Sequence, residues 1–282
     1  MIAEKFADLH IHTNCSDGVF TPSEVVSYAK NMGLSAISIT DHDSVDGVQE
    51  ALSAGADSGV EVIPGIELSS LAHDGSEMHI LGYFINHKCS ELGKKLKFLR
   101  KDRFERGHKI LQKLENCGVK LKDTSFLRSG EDKAVGRLHF AKALVAEGAV
   151  KNTQEAFQKY LSPEKPAYVA KYAMSAAEAI KLISDAGGIS VMAHPYYSHY
   201  TDMKIMHSLV AAGLSGIEAY HPKHPESMVK KFLALAKDLG IAATGGSDCH
   251  GASKNEPAML GRIKIPYLIV ENLKKIKQQQ TA

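Results

Sequence analysis

One rhythm constrains this chain more than any other feature: a short apolar run ends in ligand-type side chains, and a helical stretch follows. Residues 35–40 run into Asp41-His42-Asp43, and residues 60–69 contain Pro64-Gly65-Ile66-Glu67. Residues 189–193 end in His194-Pro195, and residues 241–244 open into Gly245-Gly246-Ser247-Asp248-Cys249-His250. The first helix opens with Thr21-Pro22-Ser23-Glu24, a capping box with proline at the first helical position, and Gly33 ends it. Further strands are expected over 78–85 and 216–220, and further helices over 45–57, 176–186, 203–212 and 226–239. Repetition of strand, polar end and helix is the signature of a mostly parallel sheet with helices outside it. The count is about seven strands, enough to close or nearly close a (β/α) barrel.

The rhythm stops near Cys89. Residues 94–160 read as helical and highly charged, with Lys94, Lys95, Lys97, Arg100, Lys101, Arg103 and Arg106 in quick succession. Leu96, Leu99, Ile110, Leu111 and Leu114 give that helix an apolar face, 138–147 and 153–161 read as further helices, and Pro163 and Pro166 mark the exit. The expected organisation is a first barrel part at 1–93, a helical insertion at 94–165, expected to be a substrate cap, and a second barrel part at 166–282, with a frayed tail over 278–282.

Composition narrows the class. Of 282 residues 44% are hydrophobic and 23% charged, as in soluble globular proteins, and no run approaches the roughly 18 apolar residues of a membrane span. Residues 1–6 lack the basic start and long apolar region of a secretory signal, so the expected compartment is cytoplasmic. Lys and Arg total 34 against 32 Asp and Glu, a net charge of +2 that demands no polyanionic partner. Cys15, Cys89, Cys117 and Cys249 are scattered without C-x-x-C spacing, which argues against a disulfide framework or a structural zinc knot.

Fourteen histidines are more than such a composition needs. In Asp8-Leu9-His10-Ile11-His12 the two imidazoles alternate along a strand and project to one face. His42, Glu67, His194, Asp248 and His250 fall at strand ends, Asp17 lies on the first loop, and His79 is the exception, at the start of its strand. Singly, each has a structural reading: a strand-end histidine is usually a bonded loop residue, and Glu67 or Asp248 could cap a helix. Together, at the carboxyl rim of a parallel sheet, they would repel and desolvate one another without cations. Six histidines and three carboxylates with no thiolate suit Mn²⁺, Zn²⁺ or Fe²⁺. Nine ligands exceed the needs of one ion, so two or three divalent ions sharing a bridging carboxylate fit better. Asp41 and Asp43 are expected to orient imidazoles behind the ligands.

Asp8-Leu9-His10-Ile11-His12-Thr13 with Ser16-Asp17-Gly18, then Thr40-Asp41-His42-Asp43, Pro64-Gly65-Ile66-Glu67, Ala193-His194-Pro195 and Gly246-Ser247-Asp248-Cys249-His250 resemble, in order, the motifs of the PHP (polymerase and histidinol phosphatase) family. Within it, spacing and insertion resemble the nucleoside 3′,5′-bisphosphate phosphatases related to the bacterial TrpH protein, which also act as 5′→3′ exoribonucleases on short RNA. The resemblance implies a distorted seven-stranded (β/α) barrel with a helical insertion domain and a trinuclear site, usually manganese-loaded. It implies that His10, His12, Glu67 and Asp248 hold one ion, that Glu67 bridges to a second held with His79 and His194, and that Asp17, His42 and His250 hold the third. Gly136-Arg137-Leu138-His139 resembles the family's Gly-Arg-Pro-His element, whose arginine reaches the substrate phosphate, with Leu138 in place of the proline.

Arg137 is thus the expected phosphate ligand, since its planar fork binds two oxygens at once. His199 is a candidate proton donor to the leaving oxygen or phosphate ligand. Lys133 and the stripe of Arg100, Arg103 and Arg106 are weaker phosphate candidates, because a charge run on a helix is usually a solvated face. The expected reaction is phosphomonoester hydrolysis by hydroxide generated on the clustered ions. The expected substrate is a nucleoside 3′,5′-bisphosphate losing its 3′-phosphate, with short RNA as a second possibility. Two rivals stand beside it: histidinol-phosphate phosphatase, and a PHP module kept as a scaffold or nucleic-acid-binding partner without turnover.

Overall fold

The computed structural model describes residues 4–128, 135–170, 172, 174–198, 202–251 and 259–280. The chain begins with β1 (Phe6–Ile11), α1 (Pro22–Asn31), β2 (Ala36–Ile39), α2 (Val48–Ser58), β3 (Glu61–Leu71) and β4 (Glu77–Tyr83). Four helices follow, α3 (Ser90–Asn116), α4 (Ser125–Arg128), α5 (Arg137–Ala146) and α6 (Thr153–Ala156), the last continued by a π-helical turn over Phe157–Leu161. Then come α7 (Ala176–Asp185), β5 (Ile189–Met192), α8 (Met203–Ala211), β6 (Gly216–Tyr220), α9 (Glu226–Leu239), β7 (Ala242–Gly245), β8 (Ile265–Pro266) and α10 (Leu268–Gln280). Two compact units result: residues 1–93 with 174–282, and residues 94–173.

The first unit is the barrel that the strand–helix rhythm predicts. Its strands form one eight-stranded sheet in the order β7-β6-β5-β4-β3-β2-β1-β8. A parallel bridge from Ile11 to Cys249, just past β7, brings its two sides together, with His12 N donating to Cys249 O at 2.9 Å. Strands β1, β2 and β3 run parallel, as do β5, β6 and β7, but β4 is antiparallel to both neighbours. The cause is a short hairpin: Gly75, at φ 81°, supplies the left-handed residue, and Ala72 and Ser76 close the turn. With no room for a crossover helix, the chain must return antiparallel.

That reversal explains His79. The start of an antiparallel strand lies at the same rim as the carboxyl ends of parallel ones, and His79 pairs with Ser69 near the end of β3. The expected seven strands thus become eight, because β8 adds a short antiparallel pair at Phe6 and Ala7. The tail expected to fray is helical through Gln280, and α10 buries Val270 and Leu273 against the sheet.

Period-two patterning places the site. Along β1, Ala7, Leu9 and Ile11 join the apolar clusters, while Asp8 and His10 take the other face. Helices α1 and α2 cover one side of the sheet, where Val25, Val26, Ala29 and Ala51 pack on Ile37, Ile39 and Val62. The Thr21–Glu24 capping box forms in both directions, at 3.2 and 2.8 Å.

The second unit has its own core of Ile110, Leu114, Leu127, Phe140, Leu144 and Leu161. Arg106 departs from the solvated-face expectation: it is only 6% exposed. Among the described residues no helix is long and apolar enough to cross a membrane.

Candidate metal centre

The structure brings His10, His12, Asp17, His42, Glu67, His79, His194, Asp248 and His250 together at one mouth of the barrel unit. Glu67, expected to bridge two ions and fully buried here, is the hub. Its Oε2 lies 3.3 Å from His10 Nε2, 3.2 Å from His12 Nε2 and 3.1 Å from His42 Nδ1. Its Oε1 lies 2.9 Å from His79 Nδ1 and 3.0 Å from His194 Nε2. Asp248 Oδ1 faces the same point from the other side, 3.5 Å from His10 Nε2 and 3.3 Å from His12 Nε2. Outside this pair, Asp17 Oδ1 sits 3.3 Å from His250 Nε2 and 3.8 Å from His12 Nδ1, and the His12 and His250 rings stack with centroids 4.2 Å apart.

Four overlapping groups emerge whose ligand atoms lie within 4.8 Å of one another: His10, His12 and Asp248; His10, Glu67 and His194; His42, Glu67 and His79; and His12, Asp17, His42 and His250. His12 faces two of them, through Nε2 and Nδ1.

Whether this donor set fits cations is decided by proton counting. His10 Nδ1 lies 2.9 Å from Glu218 Oε1, so it carries the hydrogen, and the neutral ring then presents a lone pair at Nε2. That lone pair faces a second imidazole nitrogen 3.1 Å away and two carboxylate oxygens. Among the described residues, buried His12 Nδ1 has no hydrogen-bond partner at all. Lone pairs converging in a buried site need positive charge between them, and a divalent ion supplies it. The set fits.

Titration directions report the same demand for positive charge: with no ion between them, the carboxylates draw protons onto His10 and His12, and a divalent ion would take the place of those protons. Burial acts to depress His12, but Asp248 and Glu67 outweigh it and raise its pKa to about 10. Burial likewise opposes protonation of His10, and Glu218, Glu67 and Asp248 nevertheless lift it well above the ordinary value. For His42 burial wins, pulling it down to about 3. Burial would raise Glu67 and Asp248, yet the surrounding imidazoles hold both well below the carboxylate range. Asp17, Glu67 and Asp248 thus stay ionised in a buried site that draws cations, protons where no metal ion is bound.

Backbone strain helps to aim these groups. His194 and Asp248 occupy positive φ, 26° and 51°, where non-glycine residues cost on the order of 1–2 kcal/mol. The strain at His194 is offset by its N–H, which donates to Glu218 Oε2 at 2.7 Å.

Sequence reasoning missed Glu218. Fully buried on β6, it holds the His10 ring with one oxygen and the His194 backbone with the other. It also missed His221, whose Nδ1 accepts from Lys223 N at 3.2 Å while Nε2 approaches Asp248 Oδ2 at 3.3 Å. A carboxylate inside an otherwise apolar strand, and a histidine at its end, were the signals available for both. The expectation that Asp41 orients an imidazole is corrected. Asp41 accepts from Thr13 N and Thr13 Oγ1, both at 2.7 Å, and from Ser16 Oγ, so it fixes the loop that carries Asp17. Asp43 Oδ1 accepts from Ser69 N at 2.9 Å.

The cluster opens into a cavity of about 340 Å³ lined by His42, His79, His194, Asp248 and His250, together with Glu77 and Lys223. Arg137 belongs to the second unit, at the first position of α5, where its guanidinium lies over the rings of Phe157 and Tyr168 and reaches Leu161 O at 3.5 Å. Leu138 sits in the first turn of α5, a place that suits proline equally well, so its presence there leaves the helix start intact. Lys133 and His199 lie outside the described residues.

Comparison with known proteins agrees with this geometry. The family model described as the PHP domain matches residues 8–192. The chain is 35% identical over 247 residues to a 3′,5′-nucleoside bisphosphate phosphatase of Chromobacterium violaceum, covering 86% of each. It is 32% identical over 248 residues to a 5′-3′ exoribonuclease of Haemophilus influenzae, covering 86% of this chain and 89% of that one. A solved structure from Bifidobacterium adolescentis, assigned as a metal-dependent phosphoesterase, superposes with a TM-score of 0.84 at 28% identity over 96% of both chains. A ligand cage at the mouth of a barrel, on a chain so similar to these, has one reading: the protein belongs to the PHP domain family of metal-dependent phosphoesterases.

Proposed function

We propose that this protein removes the 3′-phosphate of nucleoside 3′,5′-bisphosphates, using three manganese ions held by the nine residues at the barrel mouth. The observation that carries the reading is Glu67, whose two oxygens serve five imidazoles and so suit a carboxylate shared between ions. The substrate is argued from likeness: the C. violaceum relative is a bisphosphate phosphatase, and similarity extends over 86% of both chains. Because the H. influenzae relative is an exoribonuclease, short 5′-phosphorylated RNA is the second substrate class.

In this reading His10, His12, Glu67 and Asp248 hold one ion, Glu67 with His79 and His194 a second, and Asp17, His42 and His250 the third. When bound, the ions supply Lewis acidity and a water acidic enough to ionise near neutral pH. The residues do the rest. Glu218 fixes the tautomer of His10, and His221 holds one oxygen of Asp248 so that the other faces the cluster. Arg137, with its fork of donors, takes the equatorial oxygens of the phosphoryl group as charge grows on them. His199 gives a proton to the leaving oxygen and Lys133 supplements the phosphate contacts.

The test is a phosphate-release assay on manganese-loaded protein with adenosine 3′,5′-bisphosphate, histidinol phosphate and a short 5′-phosphorylated RNA, beside H12A. Release of the 3′-phosphate by wild type, lost with bound metal in H12A, is expected. Preference for histidinol phosphate would replace the substrate, and no hydrolysis of any phosphoester would make the module a scaffold.

A further inference from the structure

A second cavity, of about 370 Å³, adjoins the metal cluster. It shares Lys223, Asp248 and His250 with the first cavity and adds Pro222, Ser247 and Met259. We infer that this second cavity seats the phosphate that is not cleaved, with Lys223 as its counter-charge, so that Lys223 is the residue through which the barrel prefers bisphosphates. On the bisphosphate reading proposed above, which this presupposes, one phosphate lies at the ions and the other a ribose away. Both cavities lead out of the cluster. Towards Glu77 a second dianion meets a carboxylate, whereas among the described residues of the second cavity the one carboxylate, Asp248, is already committed to the cluster.

Among the described lining residues of both cavities, Lys223 is the one permanent cation. Its backbone is held in place. Lys223 N donates to His221 Nδ1 at 3.2 Å, His224 N to His221 O at 2.9 Å, and His224 Nδ1 bonds Ala219 O at 2.9 Å. The His221 ring, 1% exposed, is itself tied to Asp248. The turn after β6 is therefore pinned to the cluster, and Lys223 projects beside both cavities from a fixed base. Pro222 and Met259 give that cavity apolar surface on which a sugar or base can rest.

The experiment measures the ratio of kcat/KM for adenosine 3′,5′-bisphosphate to that for adenosine 3′-monophosphate in wild type, K223M and K223R, each with manganese content determined. K223M should lower the ratio at least tenfold, and K223R should retain most of it. A ratio in K223M within twofold of wild type overturns the assignment, as does loss of manganese from K223M, which would make Lys223 structural. Wild type that cleaves neither compound overturns the proposed function itself, an outcome distinct from the other two.

Discussion

Replacing Glu218 by glutamine tests the cage where its logic is tightest. The carboxylate is fully buried, with Oε1 2.9 Å from His10 Nδ1 and Oε2 2.7 Å from His194 N, so it accepts two hydrogen bonds and donates none. A glutamine amide has one acceptor and one donor end. If its oxygen keeps His194 N, its NH₂ faces His10 Nδ1, which must become an acceptor; the ring proton moves to Nε2 and abolishes the lone pair aimed at the cluster. If the amide flips, two N–H groups confront each other at His194, and a buried unmet donor costs about 1–3 kcal/mol. Loss of such a supporting partner lowers metal affinity roughly 10–100-fold, or about 1.4–2.7 kcal/mol. Calorimetric titration of metal-free wild type and E218Q with Mn²⁺ reads this directly, and circular dichroism checks that the fold persists. E218Q that takes up manganese with wild-type affinity and stoichiometry would refute the reasoning, because the His10 tautomer would then not depend on Glu218.

Three further outcomes follow from the same geometry. R137A should retain its manganese but lose roughly 10²–10³ in kcat, the usual cost of removing a donor to developing charge; an unchanged kcat would end its assignment. Chelation with EDTA should abolish activity and lower the melting temperature, since each ion present at a hundredfold over its Kd contributes about 2.7 kcal/mol to the native state; a melting point indifferent to chelator and to added manganese would contradict the cage. G246A places a Cβ in collision with the Cβ and backbone nitrogen of His10, so it should cost at least about 1–3 kcal/mol in thermal stability and displace a ligand histidine, whereas a stable G246A with full metal content would show that β1 and the segment after β7 can move apart.

How far the site could be read from sequence depended on whether a residue's role follows from its position along an element or from what stands across the sheet. His10, His12, His42, His194 and His250 were legible because a parallel α/β fold sends strand ends to one rim, whatever the order of the strands. The Thr21–Glu24 box was legible because it is local. His79 was counted among the ligands as an exception, since the rim rule excludes the start of a strand. The Asp74-Gly75 turn, which makes β4 antiparallel, restores it to the rule. Asp41 was misjudged because adjacency to His42 suggested partnership, yet neighbours on an extended chain face opposite sides, and its carboxylate turns to Thr13 and Ser16 instead. Glu218 was illegible for the converse reason. Its partners His10 and His194 lie 208 and 24 residues away, and nothing local shows that β6 will stand where both can be reached. Even so, a lone carboxylate within Gly216–Tyr220 has to be neutralised in a buried strand, and a chain with surplus histidines offers the partner. An unexplained buried charge and an unexplained excess of imidazole are therefore two halves of one signal, and reading them jointly leads from β6 back to His10.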